Sequence, residues 1–228
     1  MLEEKLHAEY PVSEKAQNEK SLVERSSKGD MHAFEELVYR YENKLVAAAC
    51  RLCGSRQEGE DLAQEAFLKA WRALPGYRGH ASFYTWLMVI LTNLWRDRLR
   101  KGRLSEESFD AAIETGGKVL EKQFRDERPG PDQVYEERET TQILGRLLQA
   151  LKAEHREVLL LRDIQGFSYE EIALITGSQL GTVKSRINRA RNILKESILT
   201  YQEQNPGFFR LNLSDESFAD LKERKGGR

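Results

Sequence analysis

Apolar residues recur at positions 34, 37, 38, 41, 45, 48, 49 and 52. Only an α-helix, at about 3.6 residues per turn, gathers that spacing onto one face. The series begins after Asp30, a good N-cap, and stops at Gly54. Ser55-Arg56-Gln57-Glu58 reads as a capping box opening a second helix, with Leu62, Ala66, Phe67, Ala70 and Leu74 on one face. Pro75 and Gly76 break it. After the loop PGYRGHAS, Ser82 caps a third helix that turns Phe83, Trp86, Leu87, Ile90, Leu91 and Leu94 inward and ends in the basic run RDRLRKGR. Residues 28–101 therefore read as one compact helical unit.

Periodicity then lapses. Residues 104–139 hold eleven acids and five bases, with two consecutive glycines and the triplet PGP, a composition that argues for a linker rather than a packed element. It returns at Ile143, Leu144, Leu147, Leu148 and Leu151, and again over 158–161. SYEE at 168–171 is a further capping box, with Ile172, Ala173 and Ile175 inward. Thr176-Gly177-Ser178 makes a turn and a longer helix follows, which is the helix-turn-helix pattern. No strand-like alternation and no internal repeat is visible. The expected fold is all-α, with an N-terminal helical bundle and a C-terminal helix-turn-helix domain joined by a flexible acidic linker.

The chain has 228 residues, room for one large domain or two small ones, and balances 36 Lys+Arg against 37 Asp+Glu. Yet from Gln179 to Lys195 there are five cations (Lys184, Arg186, Arg189, Arg191, Lys195) and no acid. On a helical wheel Val183, Ile187, Ala190 and Leu194 share one face, and Thr182, Ser185, Asn188, Arg189 and Asn192 share the opposite one. Lys184, Arg186 and Arg191 flank it. Short polar side chains that reach base edges, flanked by cations that meet phosphates, suit a helix in a DNA major groove. The alternative is a solvated surface helix, but such faces mix both signs because opposite charges three or four apart stabilise a helix.

No apolar run approaches the roughly 20 residues of a membrane span, and MLEEKLHAEYPVSEK lacks the basic start and apolar core of a secretory signal. With two cysteines the default is a reducing cytoplasm. Cys50 and Cys53 form C-x-x-C within a helix; the preferred reading is two small buried side chains, with redox sensing the lesser one. The four histidines (7, 32, 80, 155) have no zinc spacing, so no metal and no cofactor is expected. No phosphate-cradling glycine loop or nucleophile–base pair is visible, and the chain is expected not to be an enzyme. A helical nuclease or glycosylase would have only the acids of 60–65 to work with.

Four motifs in order resemble the bacterial extracytoplasmic-function (group IV) sigma factors: KGDMHAFEELVYRYENKL, DLAQEAFLKAWRAL, YRGHASFYTWLMVILTNLWRDRLRK and LRDIQGFSYEEIALITGSQLGTVKSRINRAR. The resemblance covers about residues 22–200. It implies an N-terminal extension at 1–21, a region 2 domain at 22–103 that binds core RNA polymerase and the promoter −10 element, a linker at 104–138, a region 4 domain at 139–200 that reads the −35 element, and a C-terminal extension at 201–228.

Carried over by position, Asp61, Gln64, Glu65, Leu68 and Trp71 match the segment that docks on polymerase, a negative stripe with an apolar border. Phe67 is better read as core. Tyr77, Arg78, His80, Ser82, Tyr84, Asn93, Arg96, Arg100 and Lys101 match the −10 reader and duplex contacts. Phe83 and Trp86 read either as core or as stacking surfaces; Tyr77 and Tyr84 are the aromatics expected to be exposed. Thr182, Lys184, Ser185, Arg186, Asn188, Arg189 and Arg191 match the −35 reader, with Asn188 suited to adenine and Arg189 to guanine. The resemblance also implies an anti-sigma partner and a cytoplasmic protein without membrane insertion. The competing reading is a stand-alone helix-turn-helix regulator of duplex operators. Departing from the pattern, Leu151-Lys152 stands where family members often have Leu-Pro, and the tail motif FFRLNL is read as flexible or weakly docked.

Overall fold

The computed structural model describes residues 12–109 and 133–205, and among these every regular element is helical. The elements are α1 (Val12–Ser27), α2 (Met31–Cys53), α3 (Arg56–Ala73), a 3₁₀ turn (Leu74–Gly76), α4 (Phe83–Phe109), α5 (Gln133–Ala150), α6 (Ala153–Leu159), a wide π turn (Leu160–Ile164), α7 (Tyr169–Thr176) and α8 (Leu180–Gln204). The linker core and the FFRLNL tail lie outside the described residues. Helix α4 continues past position 103, α5 begins before 139, and α8 runs past 200.

The helix starts follow from local chemistry. Each exposes amide N–H groups that its own helix cannot satisfy, and a short polar side chain takes one. Asp30 Oδ1 accepts from the Ala33 amide at 3.1 Å, Ser55 Oγ from Glu58 at 3.4 Å, and Ser82 Oγ from Thr85 at 3.0 Å. At Ser168 the box is reciprocal: its Oγ accepts from the Glu171 amide while the Glu171 carboxylate accepts from the Ser168 amide at 2.9 Å. Gly54, at φ 76°, ends α2 in a left-handed turn that glycine adopts without strain.

In the first half, α3 folds back on α2 and crosses it at Gly59, where an added Cβ would lie 2.5 Å from the Cys50 amide nitrogen. Leu37, Leu45, Leu52, Leu62, Leu74, Leu87 and Leu91 are fully buried between α2, α3 and α4. Helix α1 starts within the segment expected to be an extension, and it packs: Leu22 is buried and the Tyr41 hydroxyl donates to the Glu19 carboxylate. Its apolar residues are too sparse to announce an amphipathic face. In the second half α6, α7 and α8 bury Val158, Leu159, Leu161, Ile172, Ile175, Val183, Ile187 and Ala190 together.

The two halves also pack against each other. The last carbonyls of α2, left open by the helix end, are capped from the other half: Gln149 Nε2 donates to Arg51 O at 2.6 Å and Arg156 Nη1 to Leu52 O at 2.8 Å. Nothing in the local sequence pattern announces this closure, because periodicity marks a buried face and not the partner that buries it.

Cys50 is buried and Cys53 half-buried. Burial pushes both thiols up, Cys53 to about 11. A raised value keeps the proton on sulfur, so at pH 8 only about one Cys53 in a thousand is the reactive thiolate. Iodoacetamide labelling of the native chain at pH 8 should be at least about 100-fold slower than after unfolding in urea. Labelling at the unfolded rate would show that these thiols are not enclosed.

Candidate nucleic-acid interface

Gly177, at φ 64°, turns the chain between α7 and α8. Val183, Ile187 and Ala190 anchor α8 on the second-half core, so Thr182, Lys184, Ser185, Asn188 and Arg189 are left exposed on the outer side. Backbone and core thus present a polar face free of carboxylates.

Two of the five cations are not unmatched, contrary to the expectation from α8 alone. Arg186 lies 3.3 Å from the Glu154 carboxylate and 3.4 Å from Ser178 Oγ. Arg191 forms a two-point pair with Asp163 of the π turn. Their acids come from other elements, which counting charges along one helix misses. Lys184 Nζ sits 5.8 Å from the Tyr169 ring centroid, within cation–π range. Arg186 and Arg191 are thus aligned by the protein's own acids, whereas Asn188 and Arg189 project outward.

On α3, Asp61, Gln64, Glu65 and Leu68 are exposed along one side, and Leu68 keeps 60% of its surface in water. An exposed leucine amid acids offers apolar area to a basic partner. Glu65 accepts from Arg98 Nη2 at 2.6 Å, which pins the stripe to α4. Phe67 is core, and Trp71 is half-buried against Phe34 with ring centroids 4.9 Å apart.

The loop before α4 and the polar side of α4 form a third cluster. Arg78, His80, Asn93, Arg100 and Lys101 are exposed, and Ser82 is exposed while capping α4. Arg100 also pairs with Asp97 at 2.8 Å. The aromatics depart from expectation. Tyr77 is half-buried: its hydroxyl donates to Ala81 O at 2.5 Å and its ring packs on Trp86 at 5.0 Å and on Phe83 at 6.3 Å. Phe83 is core, at 1% exposure. Tyr84 is half-buried too, stacked on Tyr41 at 5.3 Å and on Phe167 at 5.6 Å, with its hydroxyl donating to Gln165 Oε1 at 2.8 Å. Burial pushes that hydroxyl up to about 12, so it remains a donor at neutral pH.

Arg96 is held likewise. Its Nη2 and Nε donate to Glu157 at 2.5 and 3.2 Å, Nη2 also reaches Ile175 O at 3.4 Å, and Nη1 reaches Asn93 Oδ1 at 3.1 Å. Glu157 is buried, and burial raises its carboxyl against the pull of Arg96. Thr85 Oγ1, fully enclosed, donates to Glu171 at 3.0 Å. That Glu157, Gln165, Phe167 and Glu171 meet α4 is not legible in the sequence, because the contacts span 61 to 86 positions.

Among the described residues no group of three or more His, Cys, Asp or Glu could hold a metal, and no helix is long and apolar enough to cross a membrane.

Residues 37–104 match the family described as Sigma-70 region 2, and residues 141–194 match Sigma-70, region 4. The chain is 36% identical over 184 residues to the RNA polymerase sigma-H factor of Pseudomonas aeruginosa, covering 80% of this chain and 94% of that protein. It is 39% identical over 183 residues to the ECF RNA polymerase sigma-E factor of Escherichia coli K12, covering 78% of this chain and 92% of that protein. Among solved structures it resembles the sigma factor RpoE of Bartonella quintana, determined in complex with the anti-sigma factor NepR. There the TM-score is 0.56 at 29% identity, over 72% of this chain and 94% of that one.

Proposed function

Because the chain belongs to the extracytoplasmic-function sigma factors, we propose that its two halves divide promoter recognition as its exposed residues suggest. It binds core RNA polymerase and directs promoter-specific initiation, reading the −10 and −35 elements and helping to open the −10 region. The observation that carries the −35 assignment is the exposed, acid-free face of α8, with Asn188 and Arg189 at its centre.

Lys184, Ser185 and Thr182 stand beside them, and Arg186 and Arg191 reach phosphates from the flanks. Region 2 spans 22–103 and region 4 spans 139–200 in this reading. The −10 strand meets Arg78, His80, Ser82, Tyr77, Tyr84 and the α4 side chains Asn93, Arg96, Arg100 and Lys101. Opening the strand draws on binding energy alone, and the protein works in the cytoplasm. Asp61, Gln64, Glu65, Leu68 and Trp71 dock on polymerase, where the acids steer a basic partner and Leu68 supplies the apolar contact. An anti-sigma partner masks these faces. A stand-alone operator-binding regulator is not favoured, because the region 2 match gives the first half its own role.

Leu68 is mostly in water, so Leu68→Ala leaves the fold intact and should weaken binding to purified core polymerase by roughly tenfold, the loss of about 1–2 kcal/mol at an apolar contact. Unchanged affinity would take α3 out of the docking surface.

A further inference from the structure

Beside the caps on the end of α2, a second set of contacts between the halves falls on Tyr84 and Arg96 of the residues read as the −10 site, and its chemistry is that of nucleic acid. The Glu157 carboxylate takes Arg96 in the two-point geometry with which an arginine takes a phosphate. Phe167 stacks flat on Tyr84, at an interplanar angle of 17°, as a base would. Gln165 offers the Tyr84 hydroxyl an amide oxygen, as the edge of a base does. Glu171 engages Thr85 in the first turn of α4. An anion, a flat ring and an amide thus converge on one face of α4 from α6 and from the loop that joins the π turn to α7.

We propose that this surface of the second half, centred on Glu157, Gln165 and Phe167, is an internal mimic of single-stranded DNA that occupies the −10 site whenever the chain is closed. The proposal rests on the −10 assignment above and adds a regulator of that site within the same chain. Strand binding and closure then exclude each other. If the free chain is open only about one-tenth of the time, its apparent affinity for a strand falls about tenfold below that of the open form. Separating the halves would free the −10 site, whereas the outer face of α8 is open in both states.

The test uses the full chain without polymerase and a fluorescein-labelled, randomised 12-nucleotide single strand, followed by anisotropy at low salt. Glu157→Gln weakens the anion mimic. Gln165→Ala removes the amide without altering charge, so a gain there is not a change in overall repulsion. Each should tighten strand binding severalfold, and the double variant by about tenfold. Adding Arg96→Ala to the double variant should remove the gain, whereas a merely loosened fold would keep it. Thermal unfolding of each variant confirms that the helices persist. Strand affinity that stays level or falls in both single variants, absent binding included, overturns the mimic. Failure of the −10 reading shows differently: the variants bind more strand, and Arg96→Ala makes no difference.

Discussion

Replacing Asn188 and Arg189 together by alanine should reduce promoter-directed transcription by roughly 100-fold or more while the fold stays intact. A well-placed bidentate contact to a base is worth about 1–3 kcal/mol of discrimination, and two on one helix compound. Both side chains are exposed on α8, with Val183, Ile187 and Ala190 buried behind them, so truncation empties no core space. Arg191→Ala is a different experiment. That side chain pairs with Asp163, so its removal also leaves a carboxylate facing the DNA side. The measurement is run-off transcription at fixed salt, paired with thermal unfolding of the double variant. A double variant that initiates at the normal level would remove α8 as the sequence reader.

Phe83→Ala should be the most damaging single truncation in the first half. Phe83 is 1% exposed and meets Tyr41, Tyr77 and Trp86 at ring-centroid distances of 5.7, 6.3 and 5.8 Å. Removing a buried phenyl ring costs about 3–5 kcal/mol, the sum of lost transfer energy and the cavity left behind. For a chain of this size that corresponds to a fall of roughly 10 °C in Tm. The same cluster orients Tyr77 and the start of α4, so the variant should also lose strand binding at temperatures where it remains folded. Calorimetry checks the first effect; a shift under about 2 °C would mean that the ring is not part of the core.

Much of this fold could be read from the sequence because the signals are local. Asp30, Ser55, Ser82 and Ser168 each cap a helix by reaching three residues ahead, a relation fixed by backbone geometry. The faces of α2, α3, α4 and α8 followed from spacing in the same way. What escaped is long-range or ambiguous. Around the start of α4 the chain carries Tyr77, Phe83, Tyr84 and Trp86, and a period of about 3.6 cannot rank four aromatics by exposure when each fits an inward face. Tyr84 was expected outward and is instead covered by Phe167, a residue of the other half. Arg186 and Arg191 were expected to lack counter-ions, and Glu154 and Asp163 supply them from α6 and the π turn. Arg96 meets Glu157 across 61 positions, a pairing that no rule of local spacing predicts. For the candidate site, the sequence marked which polar faces would project, and it was silent on which of them the chain itself would cover.

As a sigma factor, this chain confers promoter choice on a polymerase that lacks it. Run-off transcription with purified bacterial core polymerase, on a pool of promoter fragments from the parent genome, measures that directly. A discrete product of defined start that appears only when the chain is added is the predicted result. Operator-like duplex binding with no initiated transcript, at any ratio of chain to core enzyme, would contradict it.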